Sequence, residues 1–443
     1  MDIVIMIAQL IFGLSILVGL HEAGHMYAAK AFGMRVEKFS IGFPPKIFSK
    51  KIGETEYMIG AIPLGGFVKI SGMIDESLDT EAMSKEPEPW EFRAKPAWQR
   101  LIVMLGGVIV NVITGIIIFI GLTFFYGDDY VSKSEMNKHG IYANEFGEKI
   151  GFKTGDKVIN INGEDFKNSA TILSLNNMMD EGTYITIERN GVEKKVVFPA
   201  QFMDKYQEFA ENNKGAGRAI SPLTPFKIEK IQDGTPASEA GLKAGDRIVE
   251  INGKAVDYLN TLKEELRHNT EKEVSLVVLR DGQNKKLTAK LGEDPTLGFE
   301  YENLLNSTHI DYSFTESIPK GTKDAFGKLT EQAKAFKMMA TGELDPMKNL
   351  GSFFTIGKVY GGTWIWQRFW FITGMLSMVL AFMNLLPIPA LDGGHVVFLT
   401  YEIISGRPPS DKFLENSQKV GMVILLSLMV FVVGLDFFRT FIK

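Results

Sequence analysis

His21-Glu22-Ala23-Gly24-His25 closes an apolar run that begins at Ile3. On a helix, residues four apart lie about 40° apart around the axis, so both imidazoles face one way. One Zn²⁺ bridges such a pair, and the glutamate beside them serves as general base. The remaining chain has to explain why a water-activating metal motif ends a membrane-like segment.

Residues 3–20 are apolar apart from Gln9, Ser15 and glycines, and three further apolar runs follow at Leu101 to Tyr126, Phe369 to Leu386 and Val420 to Leu435. Each, with its flanks, reaches the roughly 20 residues that cross a bilayer. The first run lacks the basic start and the small-residue cleavage site of a signal peptide. It leads straight into His21, so it reads as a retained transmembrane helix. Lys and Arg concentrate between the first two runs (Arg35, Lys38, Lys46, Lys50, Lys51, Arg93, Lys95, Arg100) and between the last two (Arg407, Lys412, Lys419). By the positive-inside rule these connections are cytoplasmic, and the long insert at 127–363 lies outside with both termini. Arg439 and Lys443 pull mildly the other way.

The 443-residue chain holds 48 basic and 53 acidic residues, a net charge of -5, which leaves no electrostatic case for nucleic-acid binding. There is no cysteine, so disulfides and thiolate metal sites are excluded. Two histidines do not complete a catalytic zinc site, which usually takes three protein ligands plus water. The six histidines are His21, His25, His139, His268, His309 and His395. The best source of a third ligand is Asn384-Leu385-Leu386-Pro387-Ile388-Pro389-Ala390-Leu391-Asp392-Gly393-Gly394-His395. Pro387 and Pro389 break the third span, and Gly393-Gly394 leave the backbone open. A carboxylate in so apolar a setting needs a partner, and Zn²⁺ is one. Asp392 is therefore the expected third ligand and His395 the competing choice. An Asp-Gly turn at the cytoplasmic surface is the alternative without function.

Residues 35–70 read as short strands and hairpins, with Ile62-Pro63-Leu64-Gly65-Gly66-Phe67-Val68 apolar and loop-like. Two readings stand: a small cytoplasmic β-unit, or a hairpin dipping toward the metal and offering an edge strand to an extended peptide. Residues 75–95 read as an acidic, proline-bearing loop. Trp90, Phe92, Arg93, Lys95 and Trp98 read as an interfacial anchor. The insert contains a repeat. Gly151-Phe152-Lys153-Thr154-Gly155-Asp156 through Asn162-Gly163 returns as Gly241-Leu242-Lys243-Ala244-Gly245-Asp246 through Asn252-Gly253, each a Gly-Asp turn, a short strand and an Asn-Gly turn. The pattern resembles the circularly permuted bacterial PDZ signature, with Leu297-Gly298-Phe299 as the strand lining the second groove. The first copy lacks the Thr235-Pro236-Ala237-Ser238 approach. A spacer without ligand is the plain alternative for each copy. Ser317 to Met339 has helical periodicity, opens near Pro319 and reads as an amphipathic return to the membrane surface.

His21-Glu22-Ala23-Gly24-His25 in a first span, paired with Asn384-x-x-Pro387-x-x-x-Leu391-Asp392-Gly393, resembles the site-2 protease family of intramembrane zinc metalloproteases. Two PDZ-like domains, Ile62-Pro63-Leu64-Gly65-Gly66 and Phe92-Arg93-Ala94-Lys95-Pro96 extend the resemblance over nearly the whole chain. It implies that His21, His25 and Asp392 bind one zinc ion, that Glu22 activates water, and that Asn384 contacts substrate or the oxyanion. It implies single-span membrane substrates, among them an anti-sigma factor already trimmed outside and leftover signal peptides. It also implies peptide ends at the PDZ-like domains and residence in a bacterial inner membrane, with the active site toward the cytoplasm. The chain departs from the family at Gly107-Val108, ahead of Asn111, and at Gly351-Ser352, where Gly-Pro is common.

The expected architecture is four transmembrane helices forming a metalloprotease core, a membrane-associated β-hairpin region, and two tandem PDZ-like α+β domains in an extracytoplasmic insert. The expected divisions are 1–34 for the first transmembrane helix, 35–99 for the β region and loop, and 100–126 for the second helix. The PDZ-like domains follow at 127–214 and 215–311, then a connecting segment at 312–363. The third helix with its ligand region takes 364–417 and the fourth helix 418–443. The rival from another class is a non-catalytic membrane PDZ adaptor with a structural metal site. Glu22 argues against it, because a structural site needs no base.

Overall fold

The computed structural model describes residues 2–73, 86–172, 182–213, 216–349, 351 and 353–441. The expected loop at 75–95 lies outside the described residues up to 85, as does Ser352. The chain divides into two compact units, one of Met1–Gly127, Asp311–Lys337 and Asn349–Lys443, the other of Asp128–Ile310 and Met338–Lys348.

In the first unit, helix α1 (Asp2–Ala31) carries the His-Glu-His motif without interruption, and Gly33 at φ +66° turns the chain out of it. Strands β1 (Val36–Ile52) and β2 (Thr55–Ile70) follow, then α2 (Ala97–Tyr126), α3 (Trp366–Leu385), α4 (Asp392–Ser405) and α5 (Asp411–Phe441). Asp2–Ala31, Ala97–Tyr126, Trp366–Leu385 and Lys412–Leu435 are long and apolar enough to cross a membrane. α5 leaves Val420, Val423, Ile424 and Val430 exposed, an apolar surface suited to lipid. Leu10, Leu14 and Leu17 of α1 pack with Tyr360, Phe369 and Leu376. Met26 and Ala29 join Val36, Ile70, Val103 and Met104 in a second cluster that ties α1 to α2 and the sheet.

Residues 36–70 correct the expectation of several short strands. They form two long ones, and Ile62–Val68 belongs to β2 rather than to a loop. The hairpin folds over on itself. Residues 38–41 lie beside both 56–59 and 66–69, while 46–52 pair with 55–60, so four segments make one sheet in the order 46–52, 55–60, 36–41, 66–70. Pro44, Pro45 and Pro63 fall at the folds, outside the paired positions, because proline has no amide hydrogen for a ladder.

The second unit repeats one design. In the first copy β3 (Ile141–Ala143), β4 (Lys157–Ile161), β5 (Tyr184–Arg189), β6 (Val192–Val197) and β7 (Ile220–Pro222) pair as β4-β5-β6 and β3-β7. In the second, β8 (Phe226–Ile231), β9 (Arg247–Ile251), β10 (Lys254–Ala255), β11 (Glu273–Arg280), β12 (Gln283–Lys290) and β13 (Phe299–Asn303) pair as β10-β9-β11-β12 and β13-β8. The repeated Gly-Asp turn has a cause that the sequence alone did not reveal. Asp156 accepts from the Lys153 amide at 2.8 Å and from Arg189 Nε and Nη2 at 2.7 Å. Asp246 does the same with Lys243 at 2.9 Å and Arg280 at 2.7 Å. Each arginine also donates to the turn, at Gly151 O and Gly241 O, 2.8 Å away.

Burial alone would raise the Asp246 carboxyl, but the Arg280 fork and the Lys243 amide outweigh it and hold it below the usual carboxylate range. A depressed folded value stabilises the domain above the unfolded value of about 3.9, and the contribution fades as pH falls through the folded value. Arg280→Leu, which strands a buried carboxylate, is expected to cost about 3 kcal/mol at neutral pH, read by hydrogen exchange of β9–β12. Asp246→Asn should flatten the loss of protection below about pH 4.

Candidate active site

The site begins with a contact between backbones. A Cβ on Gly24 would lie 2.3 Å from Gly106 O, and one on Gly107 would lie 2.4 Å from both His21 Cε1 and His25 Nε2. Glycine at these positions lets α1 and α2 approach until both imidazoles rest on the α2 backbone. α3 ends at Leu385 and α4 starts at Asp392, so the helix break delivers Asn384 and Asp392 to the same place. A Cβ on Gly393 would meet Leu386 O at 2.1 Å, so the tight return over the break also requires glycine.

His25 Nδ1 lies 2.8 Å from Val103 O. A carbonyl only accepts, so Nδ1 donates and Nε2 keeps its lone pair. Asn384 Nδ2 donates to His21 Nε2 at 3.2 Å, which makes that nitrogen an acceptor as well. The two Nε2 atoms are 3.2 Å apart. Asp392 Oδ2 lies 3.3 Å from His21 Nε2 and 3.4 Å from His25 Nε2, and among the described residues no hydrogen-bond donor satisfies it. Three acceptors facing one another repel unless a cation lies among them. Two imidazole nitrogens and a carboxylate match the ligand count and chemistry of catalytic zinc sites that keep one position open. The residues therefore fit zinc.

Among the described residues one other trio of this kind converges, Glu145, Glu264 and His268. There the cation is already in place: Arg267 Nη2 donates to Glu145 and to Glu264, both at 2.7 Å. His395 lines the cavity of the first trio but stands outside its converging set. That cavity, of about 630 Å³, is also lined by Glu22, Lys38, Asn384 and Gln418, and by residues 65–70 of β2. β2 presses on the motif: a Cβ on Gly66 would lie 3.3 Å from Glu22 Cγ.

Leu297, Gly298 and Phe299 lie in the other unit. Leu297 is buried in the core of the second copy, Gly298 O accepts from Thr235 Oγ1 at 3.1 Å, and Phe299 opens β13 and stacks on Phe226. Reading residue types for ligands missed Asn111, whose side chain reaches His21. A lone amide within the apolar run 101–126 was the available signal. The Gly107-Val108 departure leaves α2 unbroken.

The sequence model of peptidase family M50 matches residues 9–428, and the chain belongs to that family, the site-2 proteases. It is 30% identical to the Regulator of sigma E protease of Haemophilus influenzae over 98% of each chain. It is 29% identical to the Regulator of sigma-E protease RseP of Escherichia coli, again over 98% of each, and 27% identical to Protease RseP of Yersinia pestis over 99% of this chain and 100% of that one. The protein is a zinc metalloendopeptidase with membrane-type helices.

Gly107→Ala is expected to force the imidazoles off α2 and weaken zinc binding by about tenfold or more, measured by chelator competition. Gly121→Ala, in the same helix with open space around its Cβ, should leave zinc binding unchanged.

Proposed function

We propose that this enzyme is an intramembrane endopeptidase that hydrolyses peptide bonds within the transmembrane segments of single-span proteins. The observation that carries the reading is the convergence of Asp392 Oδ2, at the start of α4, on His21 Nε2 and His25 Nε2 of an apolar helix long enough to cross a membrane. These three residues hold one zinc ion, and His395 is not a ligand. Zinc, when bound, supplies Lewis acidity at that depth. Glu22 takes a proton from the attacking water on its carboxylate and returns it to the leaving amide nitrogen. Asn384 Nδ2 donates to the scissile carbonyl oxygen as charge develops there.

A transmembrane helix hides its carbonyls in its own hydrogen bonds, so the substrate has to be extended before it is cut. Residues 66–70 support this step. They form the outer segment of the folded-over sheet, they line the cavity, and among the described residues no further strand pairs with them. Edge addition of the substrate strand holds it open beside Glu22. The two copies in the insert act as PDZ-like domains. Among the described residues β13 pairs only with β8, and its other edge suits a peptide end. They filter substrates, such as an anti-sigma factor trimmed beforehand or a leftover signal peptide. The relatives named as sigma-E regulators are consistent with that class. The Lys and Arg distribution favours an inner-membrane protein with the insert outside and the zinc toward the cytoplasm.

Glu22→Gln is expected to abolish cleavage of a reporter transmembrane substrate while zinc content stays near one per chain. Full activity in that variant would falsify the reading. Asp392→Asn should lose zinc and His395→Ala should keep it, with the reverse in metal analysis making His395 the ligand. Removal of residues 130–310 should widen the range of substrates cleaved without ending cleavage. Loss of all activity in a well-folded deletion variant would refute the filter role.

A further inference from the structure

Helix α2 supplies no member of the converging trio, yet two of its groups reach the imidazoles. Val103 O takes the Nδ1 proton of His25. Two turns further on, Asn111 points at His21. The residue is 1% exposed, and an amide at that depth is costly unless it is hydrogen-bonded. Nδ2 of Asn111 lies 3.1 Å from His21 Nδ1, while its Oδ1 is buried without a partner among the described residues.

The two amides that touch His21 cannot both donate to it, because a neutral imidazole accepts at one nitrogen only, so one of the two must present its oxygen. His21 Nε2 accepts from Asn384, so the neutral ring carries its proton on Nδ1. A protonated Nδ1 needs an acceptor. The two ends of a carboxamide have the same shape and differ only in what they bond, so the Oδ1 end belongs on Nδ1–H. We propose that Asn111 is a positioning residue for the metal: its Oδ1 accepts from His21 Nδ1–H, holds the ring in that tautomer and aims the Nε2 lone pair into the trio. The inference rests on the reading of His21, His25 and Asp392 as the ligand set.

The rest of α2 is built for this. Val103, Gly107 and Asn111 are spaced by four and share one face of the helix. Gly107 leaves the hollow in which both rings sit, and the groups one turn before and one turn after it hold their Nδ1 atoms. Ser377, fully buried on α3, donates from Oγ to the Asn111 carbonyl at 2.7 Å and braces the helix there. Outer-sphere partners of this kind set ring orientation and ligand basicity in zinc proteins.

The test compares full-length Asn111→Leu, Asn111→Asp and Asp392→Asn with the parent in detergent, by zinc affinity from chelator competition and by the visible spectrum of the Co²⁺-loaded protein. Asn111→Leu is expected to weaken zinc about 10–100-fold and shift the cobalt bands. Asn111→Asp, whose carboxylate also accepts from Nδ1–H, should restore affinity to the parental level or above. Asn111→Ser, too short to reach the ring, replaces the leucine variant if that one does not fold. Parental zinc affinity in Asn111→Leu, beside loss of zinc in Asp392→Asn, would overturn the proposal. Equal weakening by leucine and aspartate would overturn it too, because shape alone would then matter. Zinc retained by Asp392→Asn would remove the ligand set itself and the proposal with it.

Discussion

Three acceptors within 3.2–3.4 Å of one another, shielded from bulk water, are the constraint on which this structure turns. Nothing in an apolar interior assembles such a group spontaneously, because each atom repels the others and none finds a donor. Its assembly depends on backbone contact at Gly24, Gly106 and Gly107. It depends as well on a helix break that returns Asp392 to the first span, and on polar groups of neighbouring helices that determine which ring nitrogen is free. A cation then converts mutual repulsion into binding.

Hydrolysis at this site needs water and an extended peptide, and an apolar bundle provides neither. In the proposed mechanism the folded-over sheet of residues 36–70 addresses both. Non-helical backbone at membrane depth persists only beside protein or a water-filled cavity, and here the outer segment borders a cavity of about 630 Å³ that reaches Glu22, Lys38 and Gln418. The prolines at the folds within β1 and β2 are what allow two long strands to make four segments, leaving 66–70 on the outside. The same edge would invite aggregation on a soluble protein; in the proposed mechanism it holds the extended substrate.

The two copies of the insert share their buried Asp–Arg clamp and differ where their closing strands lie. The first closes with three residues ending in Pro222, the second with the five residues of β13. Proline withholds a donor from that edge, so the two copies are not equivalent as platforms for strand addition.

Much of this was legible in the residues, because some patterns act locally. Apolar runs of bilayer length, histidines four apart around a glutamate, and a repeated Gly-Asp turn each follow from periodicity or from one residue's chemistry. The short-strand reading of 35–70 failed because proline and glycine mark a fold in a strand as readily as its end; only pairing partners separate the two. Asn111 was visible as the second-span asparagine, but not its contact with His21, because an amide has no standing as a zinc ligand and that contact exists only across two helices. Arg189 and Arg280 escaped because their partners, Asp156 and Asp246, lie more than thirty residues away. The sequence by itself determined that four runs are long and apolar enough to cross a membrane, that a metal motif ends the first, and that its ligands exclude thiolate. Tertiary structure decided that Asp392 rather than His395 joins the trio, since that choice depends on how α4 restarts after the break. It also decided which nitrogen of each imidazole faces the site, since a tautomer is set by what the opposite nitrogen touches, and those contacts come from a different helix.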